Sequence, residues 1–258
     1  VISLLSKPEV DITELKTIIE HEPSLASSVL RLANSAYARR YGEIVSIKDA
    51  IMRLGTETVL KMVIATGFNP LIAKQARSYD LPPEMLWKHS VAVAITSEEI
   101  ARKLGTVEPA HTYTAGLLHD VGKIVLGSCL EIDPEPILGM ALRERISIDI
   151  AEQQVLGIDH AESGAILLEN WNLPPSVVEV VRWHHQPDRG VETQLMIDLV
   201  HVANALCYVC DIGLTGVRLK MCPSCESVAR LNLTSEVAEK AAETAKERIE
   251  SLLPIFIG

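Results

Sequence analysis

The chain has 258 residues, 48% of them hydrophobic, 22% charged and 4% aromatic, with a formal net charge of −10. Such an acidic, aromatic-poor chain is ill suited to nucleic acid, which is drawn by clustered Lys and Arg and gripped by stacked rings; the pair Arg39-Arg40 reads as a solvated turn. Neither a signal peptide nor an apolar run of about 18 residues is found, so no membrane partner and a cytoplasmic setting are expected, and an opening Val1 in place of Met suggests part of a longer protein.

Apolar residues recur at helical spacing throughout and convincing period-two alternation is missing, which predicts an all-α fold. Asp11 caps a helix carrying Ile12, Leu15, Ile18 and Ile19, with Glu14 placed as in a capping box. Pro23 opens a second, whose buried side is Leu25, Val29, Leu30 and Leu32. Ser46 starts a third that ends near Gly55, and Thr56 caps a fourth with Val59, Leu60, Val63 and Ile64. Tyr79-Asp80-Leu81-Pro82-Pro83 reads as a boundary. Beyond it one helix runs through Leu86, Val91 and Ile100 to Gly105, and another from Ala110 to Asp120 is broken near Gly122. Asp159, with Glu162 three residues on, caps the next through Trp171. Pro174-Pro175 begins one that sets Val177, Val180, Val181 and His184 on a single face. A helix from Thr193 past Asn204 and a polar amphipathic one from Ser235 to Leu253 complete the chain.

Six residues stand out on these helices or at their ends: His89, His119-Asp120, His160 and His184-His185. Four helices can thus converge five imidazoles and one carboxylate, donors that suit iron, zinc, manganese or nickel. A lone inward His is more often a hydrogen-bonded core residue, which is the reading for His201 and, taken alone, for His89. The adjacent pairs are harder to dismiss, because burying several polar side chains costs roughly a few kcal/mol each unless something satisfies them.

The order of these residues resembles the HD superfamily, and the wider sequence is similar to its HDOD branch over about residues 3–215. The likeness is carried by Leu32-Ala33-Asn34-Ser35-Ala36-Tyr37, Ala50-Ile51-Met52-Arg53-Leu54-Gly55 and Leu86-Trp87-Lys88-His89-Ser90. It continues in Gly116-Leu117-Leu118-His119-Asp120-Val121-Gly122-Lys123, Asp159-His160-Ala161-Glu162 and Trp171-Asn172-Leu173-Pro174, followed by His184-His185. The resemblance implies an N-terminal helical lobe (1–78) packed on an HD-like helical bundle (79–215), with a C-terminal segment and helix (216–258). It implies a bacterial signalling or regulatory module with protein partners in a pathway, commonly without demonstrated catalysis, and many such relatives have lost metal ligands; the donor set retained here is expected to hold a transition metal, iron foremost. Two departures bear on the alternative, a metal-dependent phosphohydrolase acting on a phosphoester or nucleotide. Asn204 stands where the superfamily carries its last Asp ligand, so a full negative charge is missing and only a weak carbonyl donor remains. The Gly-Tyr-Pro motif of cyclic-di-GMP hydrolases is also absent after His184-His185. Lys123 matches a phosphate-contacting Lys of those enzymes, leaving a phosphate or nucleotide ligand open; His119, Asp120 and Lys123 would be the active residues of an enzyme.

Five cysteines in a chain of this size do not suggest a secreted disulfide scaffold. Cys207-x-x-Cys210 and Cys222-x-x-Cys225 lie eleven residues apart, close to zinc-ribbon spacing, and Cys222-Pro223-Ser224-Cys225 has the turn chemistry of a knuckle. A structural zinc on these four competes with buried free thiols, since the first pair continues a helix; Cys129 reads as core.

Overall fold

A computed structural model of the chain describes residues 11–20, 23–34, 44–63, 83–129, 135–210, 212 and 222–257. About 80% of these are helical and none lies in a strand. The chain divides into two compact units, one of residues 1–70 with 250–258 and the other of residues 71–249, so the described residues 222–249 belong with the histidine-bearing bundle. Arg39-Arg40, Ile64 and Tyr79–Pro82 of the expected boundary lie outside the described residues.

In the first unit, Asp11 Oδ1 accepts from Thr13 N at 2.8 Å and starts α1 (Ile12–Glu20). α2 is Pro23–Ala33 and α3 Ile47–Leu54. Ser46 caps α3 by accepting from Asp49 N, and Gly55 ends it at φ 83, a left-handed value that glycine adopts without strain. The following helix, α4, covers residues 56–63, with its first bond running from Val59 N to Gly55 O, so Thr56 lies inside it. The four interlock through Leu15, Ile19, Val29, Ile51, Val59 and Val63.

The second unit begins with α5 (Pro83–Leu104), packed along α6 (Pro109–Leu118). His119 and Asp120 form a turn, and α7 (Val121–Cys129) follows at once. α8 (Glu135–Glu144) and α9 (Ile148–Leu156) make a hairpin with its own small core of Ile137, Ala141 and Ala151. α10 (His160–Asn170) is capped by Asp159, whose carboxylate accepts from Glu162 N at 2.8 Å. α11 (Pro175–Trp183) begins with proline as expected. A single 3₁₀ turn, Pro187–Arg189, leads to α12 (Gln194–Val209), which packs against α5. α13 (Cys225–Arg230) and α14 (Ser235–Ile257) complete the set, and Arg248 of α14 pairs with the buried Glu98 and Glu99 of α5.

The break expected near Gly122 falls at His119-Asp120, and Gly122 itself sits inside α7. A Cβ there would fall 1.8 Å from His160 O and 2.6 Å from Gly164 N, so the glycine is what lets α7 and α10 cross backbone to backbone. That crossing brings the start of α10 against the His119-Asp120 turn.

Candidate metal centre

Helix ends supply most of this site. His89 projects from α5, His119 and Asp120 occupy the α6–α7 turn, His160 is the first residue of α10, His184 and His185 follow α11, and Asn204 lies within α12. All are buried except His185, whose side chain keeps 13% exposure. The Asp120 carboxylate is the hub. Its Oδ2 lies 3.7 Å from His89 Nε2, 3.4 Å from His119 Nε2 and 2.7 Å from Lys123 Nζ, and its Oδ1 lies 3.2 Å from His160 Nε2. His185 Nε2 is 2.9 Å from His160 Nε2.

These donors form two groups sharing Asp120, each close enough to hold one ion: Asp120, His160, His184 and His185, and His89, His119 and Asp120. The ring orientations suit that role. His119 Nδ1 meets Gly116 O, and His184 Nδ1 meets Val181 O, both at 2.7 Å. With Nδ1 donating to a carbonyl, each ring turns an unprotonated Nε2 inward. The inward nitrogens of His119 and His184, both nitrogens of His89 and Oδ1 of Asn204 are buried without a hydrogen-bond partner. Asn204 acts on the His89 ring without closing a bond. Orphaned atoms of this kind cost about 1–3 kcal/mol each, and a transition ion satisfies several together, so the donor set fits a metal.

Electrostatics point the same way. Burial pushes His89 down to about 3 and lowers His119, His184 and His185, keeping these rings neutral and able to donate lone pairs. Burial would also raise Asp120, but His119, Lys123 and His160 outweigh it and hold the carboxyl well below its ordinary range. His160 is the exception: burial is overcome chiefly by the Glu152 carboxylate, and its pKa rises to about 9.

Glu152 was not legible as a site residue. Its Oε2 accepts from His160 N at 2.8 Å and lies 2.6 Å from His160 Nδ1. Asp149, one turn earlier on α9, places a buried Oδ1 4.0 Å from His185 Nδ1. The local sequence carries only an ordinary amphipathic pattern there and no signal that would have found them.

His201 has the bland role expected of it. Its Nδ1 lies 2.7 Å from His184 O, and its Nε2 accepts from Ser224 N at 3.1 Å. The cysteines are not gathered. Cys207 is buried, its sulfur 3.5 Å from Thr96 Oγ1, whereas Cys210, Cys222 and Cys225 are exposed. No three of these four sulfurs are near enough to share an ion. Cys210 falls at the C-cap of α12, and the Ser224 amide is committed to His201 while its hydroxyl caps α13. The side chain of Cys129 lies outside the described residues.

No described helix is long and apolar enough to cross a membrane. A protein of Treponema pallidum is 25% identical over 205 residues, covering 78% of this chain; the chain spans 39% of that relative. YuxH of Bacillus subtilis is 30% identical over 113 residues, 44% of this chain and 27% of its own. Among solved structures, an HDOD domain protein of Geobacter sulfurreducens superposes with a TM-score of 0.78 at 23% identity, over 100% of this chain and 90% of its own. A signal transduction protein, so named by proposal, from Marinobacter aquaeolei gives 0.76 at 22% identity, over 99% of this chain and 56% of its own. These structures share the fold. Residues 1–187 match the HDOD domain itself, and the chain belongs to the HDOD family.

Proposed function

We propose that this HDOD module holds a transition metal, iron foremost, in the His/Asp cleft and serves bacterial signalling in the cytoplasm by binding a partner protein or a phosphate-bearing ligand. The observation that carries the reading is the set of buried donors without partners, arranged in two groups about Asp120. His89, His119, Asp120, His160, His184 and His185 would hold the metal, with Asn204 a weak further donor. An ion bound there acts as a Lewis acid toward an anionic ligand. Lys123 meanwhile balances Asp120 and offers a cation at the cleft. The name of the Marinobacter neighbour supports a signalling role.

The alternative, a metal-dependent phosphohydrolase, draws support from that same Lys123 and from the partial exposure of His185. Against it stands Asn204, neutral where an acid would add charge. Protein purified without chelator should contain metal and should turn over none of a panel of phosphomonoesters, phosphodiesters and nucleotides. Hydrolysis by the metal-loaded protein that Lys123→Ala abolishes would overturn the non-enzymatic reading in favour of the alternative.

A further inference from the structure

The two donor groups of the cleft are unequal. Counted in His and Asp, one offers four residues and the other three with only the neutral Asn204 beside them, and Asp120 is common to both. Carboxylates stand behind the larger group: Glu152 fixes His160 through two contacts from one oxygen, 2.6 Å to Nδ1 and 2.8 Å from the backbone N, so that Nε2 faces Asp120. Asp149 lies 4.0 Å behind His185, with its Oδ1 buried and unpartnered. A carboxylate behind a ligating imidazole orients the ring and makes it a better donor. The smaller group has no such backing: His119 rests on a neutral carbonyl, His89 makes no hydrogen bond, and the polar group beside it is the neutral Asn204. His185, in the larger group, is the one partly exposed donor.

We propose that the cleft is asymmetric: the tight metal position is bounded by Asp120, His160, His184 and His185, with Glu152 and Asp149 as its positioning residues, and the His89–His119 position is weak. This rests on the metal reading of the cleft. Because α8 and α9 have their own core, Glu152 and Asp149 also couple that hairpin to the ion.

The test is Co2+ titration of chelator-stripped protein, read by d–d absorption and by competition with a chelating indicator, with amide exchange followed across residues 148–156. Wild type should take up one tight equivalent, and Co2+ should slow exchange in α9. Glu152→Gln should weaken that equivalent at least about tenfold and abolish the slowing, while His89→Ala changes affinity by less than about threefold. Should Glu152→Gln lose its helical signal, Asp149→Asn takes its place, with a weakening of about threefold to tenfold expected. Tight binding that depends on His89 and ignores the α9 carboxylates overturns the asymmetry while leaving the metal reading intact. No Co2+ uptake by wild type overturns both.

Discussion

Histidines and cysteines in this chain both suggest ligands in the sequence, and the fold treats them oppositely. Five of the six ligand-type residues come from helix ends: a two-residue turn after α6, the first residue of α10 and the two residues after α11, while His89 lies inside α5. Ends of helices packed around one point can all aim at it, and Gly122 lets α7 and α10 close to the required distance. Cys207 lies within α12 and Cys210 at its C-cap, and one sulfur is buried and the other exposed. Ligand residues spaced along one helix need a partner element to complete the shell, whereas residues at converging ends supply it themselves.

The comparison breaks most sharply at Asp120. Asp120→Ala removes the atom shared by both donor groups and leaves Lys123 buried without its counter-ion. Metal should be lost, and the metal-free protein should lose about 3–5 kcal/mol in chemical denaturation, as for other broken buried pairs. A loss under about 1 kcal/mol would mean that the pair is solvated. Gly122→Ala acts on the crossing that assembles the histidines. With its Cβ 1.8 Å from a backbone oxygen, no side-chain adjustment relieves the clash. About 3 kcal/mol or more of stability should go, and unchanged stability would show that α7 and α10 pack more loosely.

Thiol labelling sharpens the cysteine half. Burial pushes Cys207 up to about 12, so in a Cys129→Ser background native protein at pH 8 should label at Cys210, Cys222 and Cys225 and spare Cys207. The rate contrast should be about a hundredfold or more, since the thiolate is the reacting form. Protection of all four, released by chelator, would restore the shared zinc. The smallest effect concerns Glu179, which anchors the loop entering α12, the helix carrying both Asn204 and Cys207. Its carboxylate accepts from Val191 N, Thr193 N and Thr193 Oγ1. Burial favours a higher pKa, but these bonds prevail and lower it from 4.5. A lowered folded pKa gives stability that is present above the ordinary value and lost as pH falls through the folded one. Glu179→Gln should therefore cost about 1 kcal/mol near neutrality, a partly exposed anchor being discounted. The gap from wild type should close on acidification, and a gap independent of pH would contradict the charge-based anchor.

Much of this was legible because local chemistry and fold agree. Asp11, Ser46 and Asp159 cap the helices they were expected to cap, Pro23 and Pro175 open theirs, and the six metal-type residues do converge. The role of Gly122 was missed because a glycine that serves close packing looks, in one dimension, like one that ends a helix. Glu152 and Asp149 escaped because an acidic residue on an amphipathic helix ordinarily faces water, and only the seating of α9 against His160 and His185 reveals otherwise. The cysteine spacing was suggestive, yet spacing alone does not say which sulfurs a helix buries and which it leaves exposed.

Metal content of protein purified without chelator decides between the two sets of residues. It should be compared in wild type, in a variant with His119→Ala and Asp120→Ala, and in one with Cys207, Cys210, Cys222 and Cys225 all changed to Ser. Wild type and the cysteine variant should hold equal metal, and the cleft variant almost none. Metal lost with the cysteines and kept without His119 and Asp120, or near-zero metal in all three after reloading, would contradict a metal-holding cleft.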